Sequence, residues 1–221
     1  MNEDQLNDQN LREQLIECGQ LFHSRGWSVG TSSNYSAVRN DSPTEISITA
    51  SGKDKGRLMP EDFVVVDHTG VPIAGESQKS SAETMLHVKA VELFGAKSVL
   101  HTHSVWGTLL SDFYGDEDGF EISGYEMLKG LEGIGTHETS IWVPIFENTQ
   151  DIPTLAAEFE KYIADHPDRN CYGYLIRRHG LYTWGTDVFS ARRHIEVFEF
   201  LFEVVARRMT MTDLPTPIRL A

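Results

Sequence analysis

Val99-Leu100-His101-Thr102-His103 closes an apolar run that begins at Lys97, and how it is read decides the fold. As a strand, the run sends alternate side chains to opposite faces, so His101 and His103 point the same way. Two imidazoles on one face can grip one metal ion. A tetrahedral zinc site takes a third protein ligand and, if catalytic, leaves its fourth position open. His179, in Arg177-Arg178-His179-Gly180, is the best third candidate. It follows a second apolar run, residues 171–176, and so stands at the end of a second expected strand.

Working outward, Leu11, Leu15, Cys18 and Phe22 recur at helical spacing and predict a helix over residues 8–25, with Gly26 as its stop. Gly30-Thr31-Ser32-Ser33-Asn34 is a loop of small donors. Residues 45–49 alternate at period two and read as a strand, followed by a second small-residue loop, Ala50-Ser51-Gly52. Residues 63–66, the turn at 68–70 and residues 71–73 suggest a hairpin. Ser80 and Glu83 have the spacing of a capping box ahead of a helix that ends at Gly95. A short helix over 104–110, an acidic loop over 112–118 and a strand over 121–123 follow. Residues 141–146 read as a strand, with Pro144 hinting at an edge. A helix over 151–164 precedes the His179 strand. A strand over 181–185 and a long helix over 187–208 close the chain, with Ile195, Phe198, Leu201, Phe202 and Val205 as the helix's core face. The order predicts helices flanking a mostly antiparallel sheet, in a single domain over 1–221.

The chain has 221 residues, enough for one large core, and its net charge of −14 disfavours nucleic acid or an anionic membrane as partner. No apolar run approaches a bilayer span, and Met1-Asn2-Glu3-Asp4-Gln5 is unlike a signal peptide, so a cytoplasmic location is expected. Cys18 and Cys171 have no metal-ligand spacing and read as small buried apolar residues. GxGxxG and GxxxxGK[ST] fingerprints are absent. The Gly/Ser loops near Asn34 and Ser51-Gly52, with Ser81 at a helix start, offer backbone N–H groups and hydroxyls suited to phosphate; the plain alternative is that they are turns.

The ordered set Gly30-Thr31-Ser32-Ser33-Asn34, Thr49-Ala50-Ser51-Gly52, Ser81-Ala82-Glu83, His101-Thr102-His103 and Arg178-His179-Gly180 resembles the class II aldolase family, typified by fuculose-1-phosphate aldolase, over nearly the whole chain. Two further stretches, residues 124–130 and 142–151, look like the dehydratase branch of that family. The resemblance implies a three-layer α/β/α fold around a mostly antiparallel sheet. It implies one zinc ion per subunit on His101, His103 and His179, and phosphate held near Asn34, Ser51, Gly52 and Ser81. It also implies a phosphorylated ketose as substrate and a cyclic homotetramer with active sites at subunit interfaces. The aldolases' proton-transferring carboxylate matches Glu83, and the dehydratases' acid/base matches Glu126. The bland alternatives are a cap for Glu83 and a solvated residue in the first turn of a helix for Glu126. Two departures stand out. The aldolases carry Gly-Asn where this chain has Ser33-Asn34, and Ser-Ser-Glu where it has Ser81-Ala82-Glu83, which removes one hydroxyl. An aldolase or epimerase, and a non-catalytic scaffold like the adducin heads, are the competing readings.

Overall fold

A computed structural model describes residues 3–211. Residues 1–2 and 212–221, which the single-domain expectation also takes in, lie outside the described residues. The elements in chain order are α1 (Glu3–Ser24), β1 (Asn34–Asp41), β2 (Thr44–Thr49), β3 (Phe63–Asp67), α2 (Thr84–Phe94), β4 (Ser98–Thr102), α3 (Val105–Phe113), β5 (Gly119–Ser123), β6 (Ser140–Phe146), α4 (Ile152–Asp165), β7 (Gly173–Ile176), β8 (Gly180–Gly185) and α5 (Val188–Met211). The strands form one sheet in the order β3-β2-β1-β4-β8-β7-β6-β5. Every neighbouring pair is antiparallel except β6 and β7.

Alternation along β4 explains the three layers. Leu100 points to one face, where it joins Leu15 and Phe22 of α1, Leu110 of α3 and Phe198 and Phe202 of α5. Val99 points to the other face, among Leu86 of α2, Leu155 and Phe159 of α4, and Tyr174 and Tyr182 of the sheet. A smaller cluster puts Val88 of α2 on Ile46, Ile48, Val64 and Val66. Burying each such side chain contributes about 1.5–3 kcal/mol. Of the periodic positions predicted for α1 and α5, Leu15, Cys18 and Phe22, then Ile195, Phe198, Leu201 and Phe202, are buried, while Leu11 and Val205 are only partly buried against the same core.

Three local expectations change. The hairpin after β3 shrinks to a turn with a single bridge, Val66 to Pro72. The Asp67 N–H donates to the Val71 carbonyl and the Ile73 N–H to the Val65 carbonyl, but the Val65 N–H donates to Glu76 Oε1 at 3.0 Å, so the ladder goes no further. The 104–110 helix continues to Phe113, capped by Ser104, whose hydroxyl accepts from the Gly107 N–H at 3.0 Å. Pro144 does not mark an edge strand, for β6 lies between β7 and β5. Its pairing with β7 involves only Ile145 and Phe146, so proline's missing donor is never required.

The register fixes which ends of the strands lie together. Thr102 pairs with Leu181, Leu181 with Leu175, and Ile176 with Phe146. On the next pair, Pro144 faces Gly119 while Ser140 faces Ser123. The ends of β4, β7 and β6 and the starts of β8 and β5 therefore form one rim of the sheet, and the end of β5 lies on the opposite rim.

Candidate metal centre

His101 is the next-to-last residue of β4, a strand buried along its whole length, and antiparallel pairing puts Asn34 of β1 and Tyr182 of β8 directly across from it on either side. Residues directly opposite in such pairs share a face, so Asn34, His101 and Tyr182 make one row beneath α2. The His101 and Tyr182 rings stack with centroids 4.0 Å apart. His101 Nδ1 donates to the Leu181 carbonyl at 2.9 Å, which leaves Nε2 as the free, unprotonated nitrogen. His103 lies just past the strand, its N–H donating to the Trp27 carbonyl at 2.7 Å. His179 sits in the tight β7–β8 turn, where Arg178 takes a left-handed φ of 56° and its N–H donates to Ser111 Oγ at 2.9 Å. Gly180 is required next, because a Cβ there would lie 2.1 Å from the Thr102 carbonyl oxygen.

These supports converge the three imidazoles. His101 Nε2 and His103 Nε2 are 2.7 Å apart, and one ligand atom from each of His101, His103 and His179 falls within 4.8 Å of the others. Burial, then the neighbouring His103 and His179, hold His101 well below the ordinary histidine range. Burial first, then His179 and Lys55, lower His103 to about 4. Both rings are therefore neutral at physiological pH, the form that binds a metal. Three converging nitrogens, with the His101 tautomer fixed from behind, fit a zinc ion with an open coordination position.

Glu83 closes the cluster from the start of α2. Its Oε1 is 3.4 Å from His179 Nε2 and its Oε2 is 3.6 Å from His101 Nε2. Oε2 also accepts from Asn34 Nδ2 at 2.7 Å and from the Tyr182 hydroxyl at 2.8 Å. The capping box does not form. Glu83 itself is the N-cap residue of α2 and makes no side-chain cap bond, while the Ser81 hydroxyl accepts from the Glu83 N–H at 3.3 Å. The carboxylate is thereby turned to the histidines instead of to its own helix.

Asn34, Ser51, Gly52 and Ser81 come together with Glu83, His103 and His179 around one cavity of about 360 Å³. Gln150, with Ile152 and Pro153 at the start of α4, also lines it. Ser33 adopts φ 72°, a left-handed value that glycine adopts freely, at the position where the aldolases carry glycine. Its hydroxyl donates to Ser28 Oγ at 2.9 Å. Ala82 lines the cavity without a hydroxyl, as its sequence implied.

Glu126 is not in this site. It follows β5 and therefore lies at the opposite rim of the sheet from the histidines. It begins a 3-10 turn, Glu126–Gly130, not an α-helix, and is exposed, 2.8 Å from Lys129 Nζ and 3.3 Å from His137 Nδ1. The hydrogen bond from Lys129 holds its carboxyl below the usual range. Tyr182 was legible only as a strand residue, because its role depends on the β4–β8 register. A larger cleft of about 510 Å³ between β6 and α4 is lined by none of the three histidines.

A helix-flanked antiparallel sheet with a three-histidine cluster at its rim defines a class of proteins. The chain belongs to the class II aldolase and adducin N-terminal domain family, whose family model matches residues 13–206. Methylthioribulose-1-phosphate dehydratase of Marinobacter nauticus is 47% identical over 192 residues, 86% of this chain and 90% of that protein. The Pseudomonas fluorescens protein of the same name is 46% identical over 201 residues, 90% of this chain and 93% of its own length. Among solved structures, L-fuculose-1-phosphate aldolase from Thermus thermophilus superposes with a TM-score of 0.72 at 19% identity, covering 94% of this chain and all of that one. YgbL from Klebsiella pneumoniae gives 0.75 at 23%, covering 96% and 94%. The last two likenesses bear on the fold alone.

Proposed function

We propose that this protein is a hydro-lyase that dehydrates 5-methylthioribulose 1-phosphate to 2,3-diketo-5-methylthiopentyl 1-phosphate, a step of methionine salvage, in the cytoplasm. The observation that carries it is near-full-length identity of 47% to a relative bearing the dehydratase name, joined to a complete histidine cluster in a loop-lined cavity. Zinc held by His101, His103 and His179 would supply a Lewis acid for the C2 carbonyl of the ketose. Asn34, Ser51, Gly52 and Ser81 would hold the phosphate and set the sugar's direction in the cavity. Glu83, its Oε2 already bonded twice, would shape the pocket from within the same chain.

Loss of water takes a proton from C3 and hydroxide from C4, so one carboxylate serving as base and then acid suits the step. Glu126 is our candidate for that role. Because it lies on the opposite rim, in that role it would serve the site of a neighbouring copy. The cyclic homotetramer implied by the family resemblance supplies such a neighbour. Val105, Leu109 and Phe113 form an exposed apolar stripe along α3, starting two residues after His103, as an interface beside the site requires. Among the described residues no helix is long and apolar enough to cross a membrane.

A second reading, an aldolase or epimerase, draws on Glu83 being, among the described residues, the one carboxylate that lies against the three clustered histidines within a single chain. An adducin-like scaffold has no use for three converging imidazoles. Incubating the zinc-loaded protein with 5-methylthioribulose 1-phosphate and following mass separates the three. Loss of one water supports the dehydratase; cleavage or epimerisation supports the second reading; an unchanged substrate with no bound zinc supports a scaffold.

A further inference from the structure

One turn after Glu83, on the same face of α2, stands His87. It is fully buried and both ring nitrogens are engaged: Nδ1 lies 2.7 Å from Ser36 Oγ, and Nε2 meets Asn34 Oδ1. A carboxamide oxygen only accepts, so Nε2 carries the proton and Nδ1 accepts from the Ser36 hydroxyl. Burial lowers this histidine to about 3, so it stays a neutral ring with one fixed tautomer. With Asn34 Oδ1 occupied, Asn34 Nδ2 is turned toward Glu83 Oε2 at 2.7 Å and Ser81 Oγ at 3.2 Å. The reversed amide would set its oxygen against the carboxylate. Tyr182 supplies the second bond to Oε2, which leaves Oε1 beside His179 Nε2.

We propose that His87 is a positioning residue: through Asn34 it decides which oxygen of Glu83 is held and which is left facing the histidine cluster. The proposal rests on Glu83 being a carboxylate of the site. It goes beyond that role by naming the group that aims it, and nothing about His87 follows from its being a core residue alone. A core histidine needs partners; this one has partners that lead in two bonds to Glu83, whose Oε1 faces the cluster.

The test compares His87→Met with His87→Gln in the zinc-loaded protein. Both side chains have similar reach, but only glutamine keeps a donor for Asn34 and an acceptor for Ser36. Zinc affinity by chelator competition is read first, then kcat and KM for the ketose phosphate. Outer-shell partners of metal sites typically matter by about 10–100-fold in affinity or activity. We expect His87→Met to fall by that order in zinc affinity and in kcat with KM little changed, and His87→Gln to recover most of both. Glutamine no better than methionine, or methionine equal to wild type, overturns the proposal. If His87→Met does not fold, Ser36→Ala, which frees the tautomer, carries the test: a several-fold loss of zinc affinity supports the proposal and an unchanged affinity overturns it. A wild-type protein that binds zinc but leaves the ketose phosphate intact refutes the proposed function, while the zinc-affinity comparison still judges His87.

Discussion

Gly180→Ala should damage the metal cluster and the sheet together. The added Cβ would meet the Thr102 carbonyl oxygen at 2.1 Å and His101 Cε1 at 3.0 Å. A carbon–oxygen contact normally needs about 3.3 Å or more, so backbone must shift by roughly an ångström. The atom in the way is main chain, and Thr102 is paired with Leu181 immediately after the substitution. No side-chain rotation relieves it. Overpacking of this kind costs about 1–3 kcal/mol. The shift falls between His101 and His179, so zinc affinity should drop along with stability. Gly135→Ala is the control, with nothing within 4 Å of its Cβ and no left-handed φ. Urea unfolding gives the stability and chelator competition the affinity. If Gly180→Ala matches Gly135→Ala in both, the close β4–β8 approach does not position the ligands as described.

Losing a positioned acid/base typically costs roughly 10²–10⁴-fold in rate, and Glu126→Gln should lose that much dehydration while staying folded and zinc-loaded. Glu83→Gln should lose less, and solvent deuterium exchange at C3 decides: if exchange vanishes in Glu83→Gln but persists in Glu126→Gln, the roles are reversed. Glu199 of α5 is buried beneath β4, accepting from Thr102 Oγ1 at 3.1 Å, and burial raises its carboxyl from 4.5 to about 7 despite bonds from Ser104 and Thr102. The folded chain thus holds this proton more tightly than the unfolded chain, so the contribution to stability is full below pH 4.5 and is lost as pH rises to about 7. At about 1.4 kcal/mol per unit the loss is on the order of 3 kcal/mol, and Glu199→Gln should flatten that part of the stability–pH curve; an unchanged slope contradicts the assignment. Burial pushes the thiols of Cys18 and Cys171 up to about 12, so both should resist alkylation in the folded protein at neutral pH, and the double Cys→Ala variant should keep most of its turnover per folded molecule.

Much of the site was legible because it rests on local rules. Period-two alternation put His101 and His103 on one face, and a strand end supplied His179. The loops carrying Asn34, Ser51, Gly52 and Ser81 were marked by small residues, and the fold gathers them at one cavity. What stayed hidden depends on register and on contacts distant in sequence. Glu126 and Glu83 look alike as single carboxylates in motif stretches, but the direction of β5 sends Glu126 to the far rim. Tyr182 joins the site only because β8 pairs with β4 so that it faces His101. Ser80 and Glu83 have capping-box spacing, yet the turn is organised by Ser81, and the carboxylate finds Asn34 and Tyr182 as stronger partners. His87 carried one sequence signal, its place four residues after Glu83 on a helix face, and that gains meaning only when Asn34 and Ser36 are seen beneath it.

In the proposed function, each working site combines the histidines of one copy with Glu126 of another. His103→Ala and Glu126→Gln, each inactive alone, can be mixed, dissociated, reassembled with zinc and assayed for dehydration of 5-methylthioribulose 1-phosphate. In a closed ring with one such pairing per interface, random reassembly gives roughly a quarter of sites both intact halves, so the mixture should recover about that share of wild-type turnover. A reassembled mixture no more active than either variant alone contradicts the account.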